Sequence, residues 1–169
     1  MATTNKNARG SSAQFFVAGE LCRRDLVAVV TMGNTPNTDI LCSNEEGTKF
    51  VHIQVKAYKP GNATVTVGKK AEKNYGNQFV WVLAGIPTED MSEDFEYYII
   101  PSEVMSKEVT EDHRKWRASS NIISEANKDG KSRESDSMRT VHIPPKACYA
   151  GWRIDEYKNR WDIIKQLLK

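Results

Sequence analysis

The chain has 169 residues, of which 39% are hydrophobic and 27% charged, with a formal net charge of +2. That length supports one compact domain with a sizeable core, and the composition is that of an ordinary globular protein. The near-balanced charge excludes a uniformly basic surface that would hold nucleic acid by charge alone, and the longest apolar runs, at 26–30 and 79–84, are too short to cross a bilayer.

Residues 1–11 are polar and lack the apolar stretch of a signal peptide, so they are expected to form a loose tail before a single domain over 12–169. Ser11 or Ser12 can cap a helix running to about Arg24, with Ala13, Phe16, Val17 and Leu21 on one apolar arc. Gln14 and Glu20 fall within or beside that arc. An inward carboxylate at Glu20 needs a partner or a metal, whereas an edge position lets it reach water. Strands are expected at 26–32, 39–43 and 49–56, with a loop at 33–37 and turn chemistry at Asn44-Glu45-Glu46-Gly47. Pro60-Gly61 breaks the pattern. A short strand at 63–67 and a short helix at 69–75 follow. Residues 78–86 are apolar throughout and fit the middle of a sheet. A strand at 95–100 ends at Pro101, and residues 102–116 read as helix. The polar segment 119–137 reads as a long mobile loop. Asp155 can cap a last helix over 155–168, in which Tyr157, Trp161, Ile164 and Leu168 recur at helical spacing.

The expected fold is therefore α/β, a mixed central β-sheet flanked by helices, with its core at about 12–100 and a C-terminal helical extension. Cys22, Cys42 and Cys148 are widely spaced and form no CxxC pair. They read as small buried hydrophobes of a reducing, cytoplasmic compartment.

The chemistry concentrates on one hairpin. If Glu46 and Gly47 are the central residues of a type I′ turn, residues pair so that their numbers sum to 93. Ile40 then faces Ile53, Cys42 faces Val51, and Val55 extends the same apolar row. The opposite row places Asp39 against Gln54, with Lys56 two residues on. Asp39 offers carboxylate oxygens to a hard cation, Gln54 an amide oxygen and Val55 a backbone carbonyl, a donor set suited to Mg²⁺ or Mn²⁺. Lys56 can orient a water or offset charge developing on a phosphate. An exposed strand face with an ordinary Asp and Lys is the plainer alternative. Lys69, Lys70 and Lys73 follow closely and can grip a DNA backbone, or simply open a solvated helix. His113, Asn121 and His142 suggest an HNH-type nuclease more weakly, since no matching hairpin accompanies them.

Thr38-Asp39-Ile40-Leu41 and Ile53-Gln54-Val55-Lys56, preceded by a helix containing Ser12-Ala13-Gln14, resemble the PD-(D/E)xK nuclease superfamily in its D…QxK form. The resemblance covers about residues 10–100. It implies the αβββαβ core of restriction endonucleases and Holliday-junction resolvases, and a Mg²⁺-dependent DNA endonuclease with Asp39, Gln54 and Lys56 as catalytic residues. It further implies Gln14 where resolvase-like members carry a helical Glu, Glu20 as the remaining helical acid, DNA as partner and a homodimer to cut both strands. A catalytically silent nuclease fold that binds DNA or protein is the alternative.

Overall fold

A computed structural model describes residues 6–32, 35–89, 92–119 and 138–169. The loop expected over 119–137 lies, apart from Ser119, outside the described residues, as does Asn121. The elements are α1 (Lys6–Cys22), β1 (Val27–Val30), β2 (Ile40–Ser43), β3 (Phe50–Tyr58), β4 (Thr64–Thr66), a 3₁₀ turn (Lys69–Glu72), β5 (Phe79–Gly85), β6 (Glu96–Pro101), α2 (Ser102–Ala118), β7 (Thr140–His142), a second 3₁₀ turn (Asp155–Tyr157) and α3 (Asp162–Leu167). Five strands form a sheet in the order β1-β2-β3-β5-β6; β3 and β5 pair in parallel and the other neighbours antiparallel. The fold is the mixed α/β sheet flanked by helices that the patterning implied. Among the described residues no helix is long and apolar enough to cross a membrane.

Every residue of β5 is buried, because both faces of this strand are covered. Val80, Val82 and Ala84 join Ala13, Val17 and Leu21 of α1 in one apolar cluster. Phe79, Trp81 and Leu83 join Met105 and Val109 of α2 in the other. Gly85 closes the strand with no side chain because the ring of Tyr58 lies against it; a Cβ there would stand 2.8 Å from Tyr58 Cζ.

Several boundaries differ from the sequence expectation, each for a local reason. The helix starts at Lys6 rather than Ser11 or Ser12. Ser12 Oγ donates back to the Arg9 carbonyl at 2.9 Å, as a hydroxyl inside a helix does, and caps nothing. Phe16 leaves the apolar arc and is 44% exposed, its ring against Phe95 at 4.6 Å. Cys22 is exposed, whereas Cys42 and Cys148 are buried as expected. The helix expected at 69–75 is a single 3₁₀ turn. The last helix is broken, because Asn159 takes a left-handed φ of 55° between the second 3₁₀ turn and α3. Asp155 is paired with Arg153 and does not cap that helix. The strand β7 was not legible at all. It pairs with β4 in a separate two-stranded ribbon.

Candidate active site

The β2–β3 ladder has the register summing to 93: Ile40 faces Ile53, Leu41 His52, Cys42 Val51 and Ser43 Phe50. Ile40, Cys42, Val51 and Ile53 are fully buried and Val55 nearly so. The turn that fixes this register is not the two-residue type I′ turn. The Gly47 N–H donates to the Asn44 carbonyl, and the Asn44 side chain accepts the N–H groups of Thr48 and Lys49. Only Gly47 of the turn has positive φ, whereas type I′ needs two such residues. The connection between the strands, residues 44–49, is of even length, so the pairing sum and the register survive the change of turn.

Asp39 lies just before β2, and its backbone is held from both sides. Its N–H donates to the Ile53 carbonyl at 2.9 Å, and its own carbonyl accepts the Thr31 N–H at 2.9 Å. This fixes the carboxylate over β3 where that strand outruns β2. Oδ2 accepts the Val55 N–H at 2.7 Å and the Gln54 side-chain amide; Oδ1 accepts the Gln14 amide at 3.1 Å. Gln14 of α1 therefore does reach the hairpin end. Alternation along β3 turns the Val55 carbonyl to the same side as its N–H, toward Asp39 and away from β5.

Gln54 and Lys56 lie in line with Trp81 and Leu83 of β5, on the face of the sheet that carries α2. Gln54 is buried and Lys56 half-buried. Loss of water raises the Asp39 carboxyl above the usual carboxylate range, against the opposing pull of the Val55 N–H, Lys56, Gln54 and Lys70. Burial lowers the Lys56 ammonium, Asp39 opposes that shift, and Lys70 adds to it. Two opposite charges that act on one another are thus each held short of water, which narrows the gap between their proton affinities.

The remaining sequence candidates divide. Lys70, on the 3₁₀ turn, acts electrostatically on both Asp39 and Lys56. Lys69 is exposed on the same turn, and Lys73 instead stands over the Tyr75 ring at 5.1 Å. Glu20 is not part of the site. Its carboxylate pairs with Arg24 at 2.5 Å and Arg23 at 3.3 Å, in the turn just past the end of α1, where the arginines compensate it. His52 is exposed and meets the Thr38 hydroxyl at 3.1 Å.

The donor chemistry suits a hard cation, with one carboxylate, one backbone carbonyl and two amides. A half-turn of either amide exchanges its N–H₂ for its oxygen, converting a donor to Asp39 into an oxygen ligand beside it. Asp39 alone supplies negative charge, which makes any such site weak. Among the described residues no group of three His, Cys, Asp or Glu side chains is placed to hold a metal.

Thr38 to Lys56 thus behaves much as the hairpin pattern required. The hydrogen bond from Gln14 and the charge of Lys70 could not be read from spacing alone, because both act on Asp39 across the fold. Comparison with family models, curated proteins and solved structures finds no match to this chain.

Proposed function

We propose that the chain is a metal-dependent DNA endonuclease of the PD-(D/E)xK kind, working at the Asp39 end of the β2–β3 hairpin. The observation that carries this reading is the convergence of Gln14, Asp39, Gln54 and the Val55 backbone, with Lys56 and Lys70 within electrostatic reach. Asp39, the Val55 carbonyl and the amide oxygens of Gln54 and Gln14 are the groups that would hold Mg²⁺ or Mn²⁺. Such an ion, when bound, supplies positive charge to the scissile phosphate and acidity to a water. Lys56, with its lowered proton affinity, accepts or returns a proton at Nζ and offsets charge on the phosphate. Lys70 steers the backbone toward the site.

The test is nicking of supercoiled plasmid across a Mg²⁺ and Mn²⁺ titration, with circular dichroism as the folding control. Wild type should nick and Asp39→Ala should not. Equal nicking by both would remove Asp39 from the chemistry. A second reading is favoured by one specific observation: three N–H donors already occupy the Asp39 carboxylate. In that reading the same fold binds nucleic acid or protein and is catalytically silent. Folded wild type that retains duplex DNA but cuts no single-stranded, duplex, branched or modified substrate would select it.

A further inference from the structure

A second concave site lies away from Asp39, between α2 and the β4–β7 ribbon. It encloses about 230 Å³. Its walls carry two pairs of rings. His113 and Trp116 of α2 stack at 5.2 Å with 25° between planes, and His142 and Tyr149 pair at 5.9 Å and 41°. Tyr149 is 56% exposed, so its ring is presented to the solvent rather than spent on the core.

One polar group in this lining is available to a ligand. Asp112 is 6% exposed; its Oδ1 accepts the Ala150 N–H at 2.9 Å, which leaves Oδ2 to accept from a ligand. His142 contributes only its ring to the wall, because its Nδ1 is shielded even from water. A carboxylate on a nearly buried side chain costs stability unless its oxygens are bonded. Arg139 forms another part of the wall and is paired with Glu72, on the 3₁₀ turn that also carries Lys70. One ion pair therefore ties this cavity to the turn whose lysine acts at Asp39.

We propose that this cavity binds one nucleobase bearing an exocyclic amine, stacked on the Trp116 and Tyr149 rings, with its amine donated to Asp112 Oδ2. Each feature selects that chemistry. Aromatic walls favour a flat π-surface of any base. The carboxylate requires an N–H, which adenine, cytosine and guanine supply from an amine, while thymine flanks its single N–H with two carbonyl oxygens that a carboxylate repels. The volume falls below the roughly 300–1,000 Å³ of pockets for drug-sized ligands, which limits the occupant to one base. The choice of a nucleobase over other planar amines rests on the endonuclease reading above; the stacking geometry does not.

The test is titration of the ¹⁵N-labelled full chain with each of the four deoxynucleoside 5′-monophosphates, without divalent metal, following the Trp116 indole and His142 ring resonances. Saturable shifts at both are expected with dAMP, dCMP and dGMP, and clearly weaker binding with dTMP. Tyr149→Ala, at an exposed position, should weaken binding by about tenfold or more. Asp112→Asn retains an oxygen for the Ala150 N–H and should erase the preference against dTMP. No saturable shift at Trp116 with any nucleotide, or equal binding by Tyr149→Ala, overturns the proposal. Neither readout involves Asp39, a metal or cleavage, so inactive wild type that still shows these shifts would count against the endonuclease reading alone.

Discussion

The Asp39 site and the Trp116–Tyr149 cavity are built by opposite means. The first gathers charges at the end of a hairpin and removes their water, so its members carry a stability cost. The second gathers aromatic rings from distant parts of the chain and keeps its one carboxylate tied to a backbone N–H. The difference teaches where sequence spacing is informative. Asp39, Gln54 and Lys56 are set by one local register, whereas the cavity exists only once α2 packs beside a ribbon whose strands are more than seventy residues apart in sequence.

The sharpest test of that contrast is Lys56→Ala. Cleavage should fall by roughly 10²–10³-fold, the scale for losing one transition-state charge stabiliser, while nucleotide shifts at Trp116 stay unchanged. Loss of both at once would mean the two regions are not separate.

The next effect is on folding. Ile53 is fully buried in the row whose register defines the Asp39 site. Ile53→Ala should cost about 2–5 kcal/mol in urea unfolding. A cost under about 1 kcal/mol would mean that the apolar row does not fix the hairpin.

Smaller is the contribution of the helix. Gln14→Ala should weaken metal-dependent activity by roughly 10–100-fold, as when a group orienting a metal ligand is lost. Glu20→Ala, which breaks only the pairs with Arg23 and Arg24, should leave activity unchanged. Equal loss in both variants would return Glu20 to the site.

The cost of the charged site is readable in pH. The folded Asp39 carboxyl holds its proton more tightly than the unfolded one, so its contribution to stability falls as pH rises from about 4 to its raised value, and stays low above that. Asp39→Asn removes this fall. The variant should therefore gain stability relative to wild type at pH 7 compared with pH 3, measured by thermal unfolding at both. A relative gain at the acidic end would reverse the sign and contradict desolvation as the leading cause.

The smallest effect separates the lysines. Lys70→Ala should make the log–log salt dependence of DNA binding shallower by about one unit, and Lys73→Ala should not. Identical slopes for the two variants would put Lys73 back at the interface.

The sequence by itself determined the sheet's class, the fully buried strand over Phe79–Gly85 and the apolar row of the hairpin, because alternation and continuous burial are set by neighbours a few residues apart. It also placed Asp39 near Gln54, although the ladder ends at Ile40 and Ile53 and the two meet through their side chains. Tertiary structure decided the rest. A helical wheel put Gln14 and Glu20 on equal terms, and only the docking of α1 on β3 sent Gln14 to Asp39 and left Glu20 with its arginines. The three-residue strand β7 carries too little pattern to be read alone, and it became a strand by pairing with β4. The cavity it helps to line follows from that pairing. Long-range contacts of this kind depend on how whole faces pack, which local spacing does not encode.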